Sequence, residues 1–223
     1  MTTRDHWNTV YTTKSPLAVS WFTPRLERSL ALVERATRFA GAGQTDLDPA
    51  SAHLVDIGGG ASTLVDDLLA LGYRHVSVAD LSEHALEHSR QRLGDLADQV
   101  RWVVGDVTTR LFEDQSVDLW HDRAVFHFLT TTEERAAYLE HLANALRPGG
   151  FVILGTFGPN GPERCSGLPV VRYSAARLAE VLGPDFELVT DDSETHATPG
   201  GSSQAFTWTL FRRVRRTDEA ASS

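Results

Sequence analysis

The stretch LVDIGGGAST, residues 54–63, decides the fold of this chain. A short apolar segment leads directly into three consecutive glycines, and polar residues suited to starting a helix follow. Glycine at the bend from a strand to a helix lets the backbone approach a ligand without a Cβ in the way. The turn therefore predicts a strand–turn–helix unit with a ligand at the bend, although purely structural bends also use such turns.

On both sides of this turn, strand-sized apolar segments alternate with helical ones. The strands are HLVDI, HVSVAD, VRWVVGD and VDLWHD, and FVILGTF follows a helix at about 133–146 and the sequence RPGG. Repeated βα units predict a doubly wound, Rossmann-like α/β fold with a mostly parallel sheet. Near the end, FELVTDD and QAFTWTLFRR flank a polar, glycine-rich stretch, which predicts an antiparallel hairpin.

The chain divides into three parts. Residues 1–24 are rich in aromatic side chains and contain two prolines, so we expect a segment that covers the domain. Residues 25–213 form the single domain, which opens with an amphipathic helix over residues 25–40. Residues 214–223 are expected to be a flexible tail.

Composition excludes several classes of protein. The chain has 223 residues, of which 41% are hydrophobic and 23% charged, as in ordinary globular proteins. A net charge of −9 opposes a nucleic-acid partner. Apolar segments of only strand length and an N-terminus unlike a secretory signal predict a cytoplasmic protein without membrane spans. Cys165 is the single cysteine, which excludes an internal disulfide and a thiolate-cluster metal site.

Three acids end successive strands and indicate the ligand. Asp56 precedes the glycines, where it would repel a pyrophosphate but suit an ammonium group. Asp80 lies twenty positions beyond Gly60, the spacing at which an acid accepts ribose hydroxyls; its alternative role is a helix cap, which Ser82 fills better. Asp106 can accept an adenine amine at the same sheet edge.

The ordered motifs DIGGGAS, VADLS, VGDV and LRPGG resemble those of class I S-adenosylmethionine-dependent methyltransferases of the small bacterial type. The resemblance covers roughly residues 50–157 and implies a seven-stranded sheet whose last strand is antiparallel. It implies S-adenosylmethionine as cofactor and S-adenosylhomocysteine as product. It also implies this set of cofactor-binding residues: Asp56, Gly58, Gly59, Gly60, Asp80, Leu81, Asp106, Val107 and His121.

The segment DLWHDRAVFHFL, residues 118–129, is dense in titratable groups at the end of the fourth strand. A general base for a protonated acceptor fits there, and His121, Asp122 and His127 are the catalytic candidates. A buried ion-pair network is an equally good interpretation of His121 and Asp122. Arg123 would pair with Asp122 or hold a carboxylate of the substrate.

A second group of candidates lies in loops. The segment TFGPNGPERCSGLPVVRY, residues 156–173, is too rich in glycine and proline to be regular, and such loops carry specificity. His196 is expected in the hairpin loop. The complete set of predicted substrate-binding residues is Trp21, Arg123, His127, Cys165, Tyr173 and His196.

Three functions remain open at this level. The first is methyl transfer by in-line displacement to a small nucleophile, with sulfur, nitrogen or oxygen as the acceptor atom. The second is protein lysine methylation, because the N-terminal segment is distantly similar to that of protein-lysine methyltransferases. The third is non-catalytic binding of a nucleotide cofactor. The expected assembly is a monomer or a homodimer.

Overall fold

A computed structural model describes residues 3–13, 15, 19–40, 47–198 and 200–214. Its helices are α1 Thr3–Thr13, α2 Glu27–Ala40, α3 Leu64–Ala70, α4 Glu83–Leu93, α5 Thr132–Ala145 and α6 Ala175–Leu182. Its strands are β1 His53–Ile57, β2 His75–Asp80, β3 Val100–Val104, β4 Val117–Arg123, β5 Leu146–Phe157, β6 Arg164–Cys165, β7 Leu168–Pro169, β8 Phe186–Ala197 and β9 Ser203–Arg213. None of the described helices is long and apolar enough to cross a membrane.

Seven strands form one sheet in the order β3-β2-β1-β4-β5-β9-β8. The first five are parallel to one another, whereas β9 is antiparallel to both β5 and β8. This confirms the predicted α/β fold and its antiparallel last strand. Because β9 runs in the opposite direction, its amino end lies at the carboxyl ends of β4 and β5.

Helices cover both faces of the sheet and bury alternate residues of each strand. In β1, Leu54 packs with residues of α2 and α3, and Val55 packs with residues of α5. Both side chains are fully buried, as expected for a parallel strand covered on two sides. The predicted amphipathic helix is α2, which buries Leu30 and Val33.

Two sequence predictions differ in detail from the structure. The hairpin strands are longer than expected, and His196 lies inside β8, paired with Gln204 of β9, rather than in the loop. The register of a long antiparallel pair recruits polar residues that look like loop in the sequence. The predicted loop over residues 156–173 contains the small β6–β7 hairpin. Of the predicted tail, all but Val214 lies outside the described residues.

A tight contact between β5 and β9 generates a stability prediction. A Cβ on Gly155 would lie 2.7 Å from the indole of Trp208, which is buried and donates a 2.6 Å hydrogen bond to Glu194. Gly155→Ala should therefore lower the free energy of unfolding by about 1–3 kcal/mol through overpacking. Urea denaturation measures this, with Gly200→Ala as the matched control in open space. Equal stabilities of the two variants would contradict the packing argument.

Candidate active site

A main cavity opens at the carboxyl ends of β1, β2 and β4, beneath α1. It encloses about 1180 Å³ between protein atoms, including the part open to solvent. A side recess of about 510 Å³ adjoins it beside Asp56, His121 and Thr63. The two spaces share the lining residues Tyr11, Trp21, Ile57, Gly58 and Arg123. They therefore form one continuous candidate site at the sheet edge where parallel α/β folds bind ligands.

The glycine turn approaches its neighbours too closely for any other residue. Gly58 and Gly60 have positive φ angles of +65° and +29°, which side chains disfavour. A Cβ on Gly59 would lie 2.4 Å from Asp56 Oδ2, and one on Gly60 would lie 2.6 Å from Asp80 Oδ2. The glycines thus bring the backbone against two carboxylates as well as against the cavity.

Asp56 is fixed by a buried chain of hydrogen bonds. Its Oδ1 lies 2.7 Å from Nδ1 of His121, and Nε2 of the same imidazole lies 2.9 Å from Oγ of Ser29 on α2. Asp56 and His121 are 2% and 1% exposed. Both ring nitrogens of His121 are therefore engaged. This arrangement suits a residue that orients Asp56, and it leaves no free ring nitrogen to accept a proton from a substrate.

Asp80 lines the main cavity at the end of β2. Its Oδ1 accepts a 2.8 Å hydrogen bond from the backbone N–H of Ser82. Burial, reinforced by the nearby charge of Asp56, raises the pKa of Asp80 to about 7. Ser82 caps α4 by accepting from Ala85 N–H at 3.3 Å, as the sequence predicted. The carboxylate is therefore free of the capping role and faces a site where hydroxyl donors would stabilise its charge.

Asp106 and Val107 line the same end of the cavity. The Asp106 carboxylate accepts hydrogen bonds from the backbone N–H and the hydroxyl of Thr108, at 2.9 and 2.7 Å. These bonds hold the turn after β3. Leu81 completes this wall, so Gly58, Asp80, Leu81, Asp106 and Val107 surround one end of the cavity. Asp56, Gly59 and His121 line the recess instead, and Gly60 lines neither space.

Comparisons with known proteins agree with this geometry. A family model described as a methyltransferase domain matches residues 54–150. The demethylmenaquinone methyltransferase of Clavibacter sepedonicus is 30% identical over 159 residues, which are 70% of this chain and 60% of that protein. Residues 54–150 therefore match a methyltransferase domain, and the chain is similar to S-adenosylmethionine-dependent methyltransferases. The match spans less than two thirds of the length of these curated relatives, from 25% to 60%.

Solved structures of methyltransferases share the fold of this chain. A methyltransferase from Anabaena variabilis superposes with a TM-score of 0.69 at 16% identity, and the match covers 96% of each chain. The N-methyltransferase NodS of Bradyrhizobium japonicum, solved with S-adenosylhomocysteine, gives a TM-score of 0.62 at 19% identity. That match covers 85% of this chain and 87% of NodS. At sequence identities this low, the structural similarity establishes the fold alone.

Asp122, a predicted catalytic residue, lies in a buried hydrogen-bond network behind the cavity lining. It accepts hydrogen bonds from Val125 N–H at 2.9 Å, from Phe126 N–H at 3.1 Å and from the Tyr138 hydroxyl at 2.8 Å. It is fully buried and lines neither the cavity nor the recess. Burial raises the pKa of Asp122 to about 6. These contacts favour the structural interpretation, in which the carboxylate organises the turn after β4.

His127, the other histidine proposed for catalysis and substrate binding, is packed in the core. Its ring contacts Phe128 and Phe157 with centroid distances of 4.6 Å each. Its Nδ1 accepts a 3.2 Å hydrogen bond from Phe157 N–H. Burial lowers the pKa of His127 to about 3, so the imidazole stays neutral. His127 therefore packs against Phe157 and does not line the cavity itself.

Tyr173 and His196 also lie away from the cavity lining. Tyr173 packs its ring against Phe126 at 5.4 Å. His196 donates from Nε2 to the backbone carbonyl of Ser20 at 3.0 Å, which ties β8 to the N-terminal segment. Of the predicted substrate residues, the structure brings Trp21, Arg123 and Cys165 together at the cavity. Burial raises the pKa of the Cys165 thiol to about 11, which keeps it protonated.

An aromatic wall lines part of the cavity, and its members Phe157 and Phe206 lie on β5 and β9, across the sheet from β3 and Asp106. We use this name for Trp7, Tyr11, Trp21, Phe128, Phe157 and Phe206, which all line the cavity. Sequence reasoning missed Phe128, Phe157, Phe206 and their neighbour Gln204. The alternation of apolar residues in β9 identified Phe206 as inward-facing. It could not show which sheet edge the amino end of β9 reaches.

Helix α1 covers this wall and is attached to the domain by hydrogen bonds. Ser82 Oγ donates to Asn8 Oδ1 at 2.7 Å, and His88 Nε2 donates to the backbone carbonyl of Tyr11 at 3.1 Å. Trp7 contacts Phe128 edge-on at 5.2 Å. The first part of the predicted covering segment therefore contributes side chains to the site.

The burial of Asp80 generates a pH-dependent prediction. Its pKa rises from 3.8 to about 7 on folding, so the folded protein binds the proton more tightly than the unfolded one. The ionised carboxylate therefore lowers the free energy of unfolding, and this penalty grows as the pH rises from about 4 to about 7. Asp80→Asn should therefore stabilise the ligand-free protein, by roughly 2 kcal/mol more at about pH 8 than at about pH 5. Thermal unfolding at both values measures this, and a pH-independent effect would contradict it.

Proposed function

We propose that this methyltransferase moves the methyl group of S-adenosylmethionine to a small-molecule acceptor. The observation that carries the proposal is the pairing of an acidic cofactor end with an aromatic acceptor end in one cavity. Asp80, Leu81, Asp106 and Val107 line the first end, and the aromatic wall lines the second. NodS, which shares the fold, was solved with S-adenosylhomocysteine, and this supports the assignment.

The residues present fit the cofactor. Asp80 is a buried carboxylate that accepts a hydrogen bond from the Ser82 backbone, yet burial still raises its pKa to about 7. Two ribose hydroxyls would add donors that stabilise its charge. Asp56 and the glycine turn border the recess, where a carboxylate suits the ammonium of a methionine group. Leu81, Asp106 and Val107 would hold the adenine. When bound, the cofactor supplies an electrophilic methyl group on a sulfonium.

The contribution of the chain to the reaction is mainly positioning. Among the described residues, no histidine lines the main cavity, and His121 is held between Asp56 and Ser29. The apolar lining excludes water from the place where acceptor and cofactor meet. Alignment of an acceptor with the methyl group can supply much of the rate in such a displacement. The acceptor then needs little general base catalysis from the protein.

A small acceptor fits this cavity better than a lysine side chain. Arg123 lines the main cavity beside the aromatic wall as well as the recess, and its positive charge repels a protonated lysine. The net charge of −9 opposes a nucleic-acid substrate. We propose a cytoplasmic location because a single cysteine suits a reducing compartment. The assembly we propose is a monomer or a homodimer.

Calorimetric titration of S-adenosylhomocysteine tests the proposal. Wild-type protein should bind, and Asp80→Asn should bind at least about tenfold more weakly because a charge-assisted hydrogen bond contributes ~1.5 kcal/mol or more. The matched control is Asp95→Asn, at an exposed acid outside the cavity, which should bind like wild type. Since Asp80→Asn should be the more stable protein, a loss of binding cannot be blamed on unfolding. Well-folded wild-type protein that fails to bind would refute the proposed function.

A further inference from the structure

Arg123 places a positive charge against the aromatic wall, where the main cavity meets the side recess. Its Nη1 donates a 2.8 Å hydrogen bond to the backbone carbonyl of Trp21, and its guanidinium lies 5.7 Å from the ring centroid of Phe206. These contacts fix the group against the aromatic wall. The predicted alternative partner, Asp122, is occupied by Tyr138 and two backbone N–H groups.

The positive charge of Arg123 has no direct carboxylate partner within the described part of the chain. Ion pairs within 4.0 Å form elsewhere and do not include it. Glu194 and Asp56 act on its charge only from a distance. A guanidinium with unused donors in an apolar surrounding gains from an anionic partner. The cavity therefore attracts a ligand that carries negative charge.

Gln204 supplies a second polar group at the same end. It lines the cavity from the amino end of β9, and its side chain is 7% exposed. Its Oε1 is buried and has no hydrogen-bond partner among the described residues. An unpaired buried amide is unfavourable, and its terminal torsion is soft enough to turn either amide atom toward a ligand. A polar ligand group at this end would satisfy it.

The apolar surfaces beside these groups suit a flat ring. Phe157 and Phe206 contact each other edge-on at 5.0 Å, and Trp21 contacts Trp7 edge-on at 5.7 Å. Aromatic rings of a ligand pack favourably on such faces and edges. The charge of Arg123 and the amide of Gln204, set beside these aromatic rings, together favour a flat ligand that carries an anionic group and a polar substituent.

We propose that the acceptor is a planar aromatic compound bearing an anionic oxygen, which Arg123 holds while Gln204 binds a polar substituent. The inference rests on the proposed function, since it names the substrate class of that site. A phenolate and an aryl carboxylate share this chemistry. Because an anion keeps its nucleophilic lone pairs, this class also accounts for a cavity without a histidine base among its described lining residues.

The test compares flat para-substituted nitrobenzenes on wild-type protein saturated with S-adenosylhomocysteine. The probes are para-nitrophenol and para-nitrobenzoate as anions, and para-nitrotoluene as their neutral counterpart, at about pH 8. At least one anion should bind about tenfold or more tightly than the neutral probe, equivalent to ~1.4 kcal/mol. Equal binding of all three probes, or preference for the neutral one, would overturn the inference. The anion that binds more tightly shows whether the site prefers a phenolate or an aryl carboxylate.

Two variants test whether Arg123 causes the preference for anionic probes. On protein saturated with S-adenosylhomocysteine, Arg123→Met should abolish the roughly tenfold discrimination between the anionic and neutral probes. Arg212→Met, which removes a guanidinium beside Phe39 and outside the cavity, is the matched control. Loss of S-adenosylhomocysteine binding in Arg123→Met alone would assign the guanidinium to the cofactor and overturn the inference. Wild-type protein without S-adenosylhomocysteine binding would instead refute the proposed function.

Discussion

The hydrogen bond between Asp56 and His121 is the constraint on which the site depends. The two residues are register partners on neighbouring parallel strands, and both are buried. A carboxylate in such a position is tolerated only with a partner, because its desolvation is costly. The imidazole provides that partner and passes the constraint to Ser29 on α2. One pair therefore connects the central strands, a covering helix and the bend where the glycines begin.

Much of the fold was readable from the sequence because its signals are local. The apolar strands, the glycine bend and the Ser82 cap each depend on a few neighbouring residues, and the structure confirms them. Acids that end parallel strands must meet at one edge, so their convergence on one cavity was also predictable. Here Asp80 and Asp106 line one wall, as expected from their positions.

The acceptor end was harder to read because it depends on side-chain direction and on distant contacts. Successive residues of a strand point to opposite faces, so His121 and Asp122 cannot both face one cavity. The density of titratable groups at the end of β4 hid this alternation. His127 follows in a turn whose direction only the packing of Phe157 reveals. Gln204 reaches the site because β9 reverses direction, which no local pattern specifies.

The reversed direction of β9 has a consequence for divergence among related enzymes. Residues of the aromatic wall come from positions as remote as Trp7 and Phe206, whereas Asp80, Leu81, Asp106 and Val107 fall in one stretch from the end of β2 to the turn after β3. Substitutions near the two chain ends can therefore change the aromatic wall without altering the glycine bend. The two ends of the cavity can diverge separately, because different parts of one gene encode them.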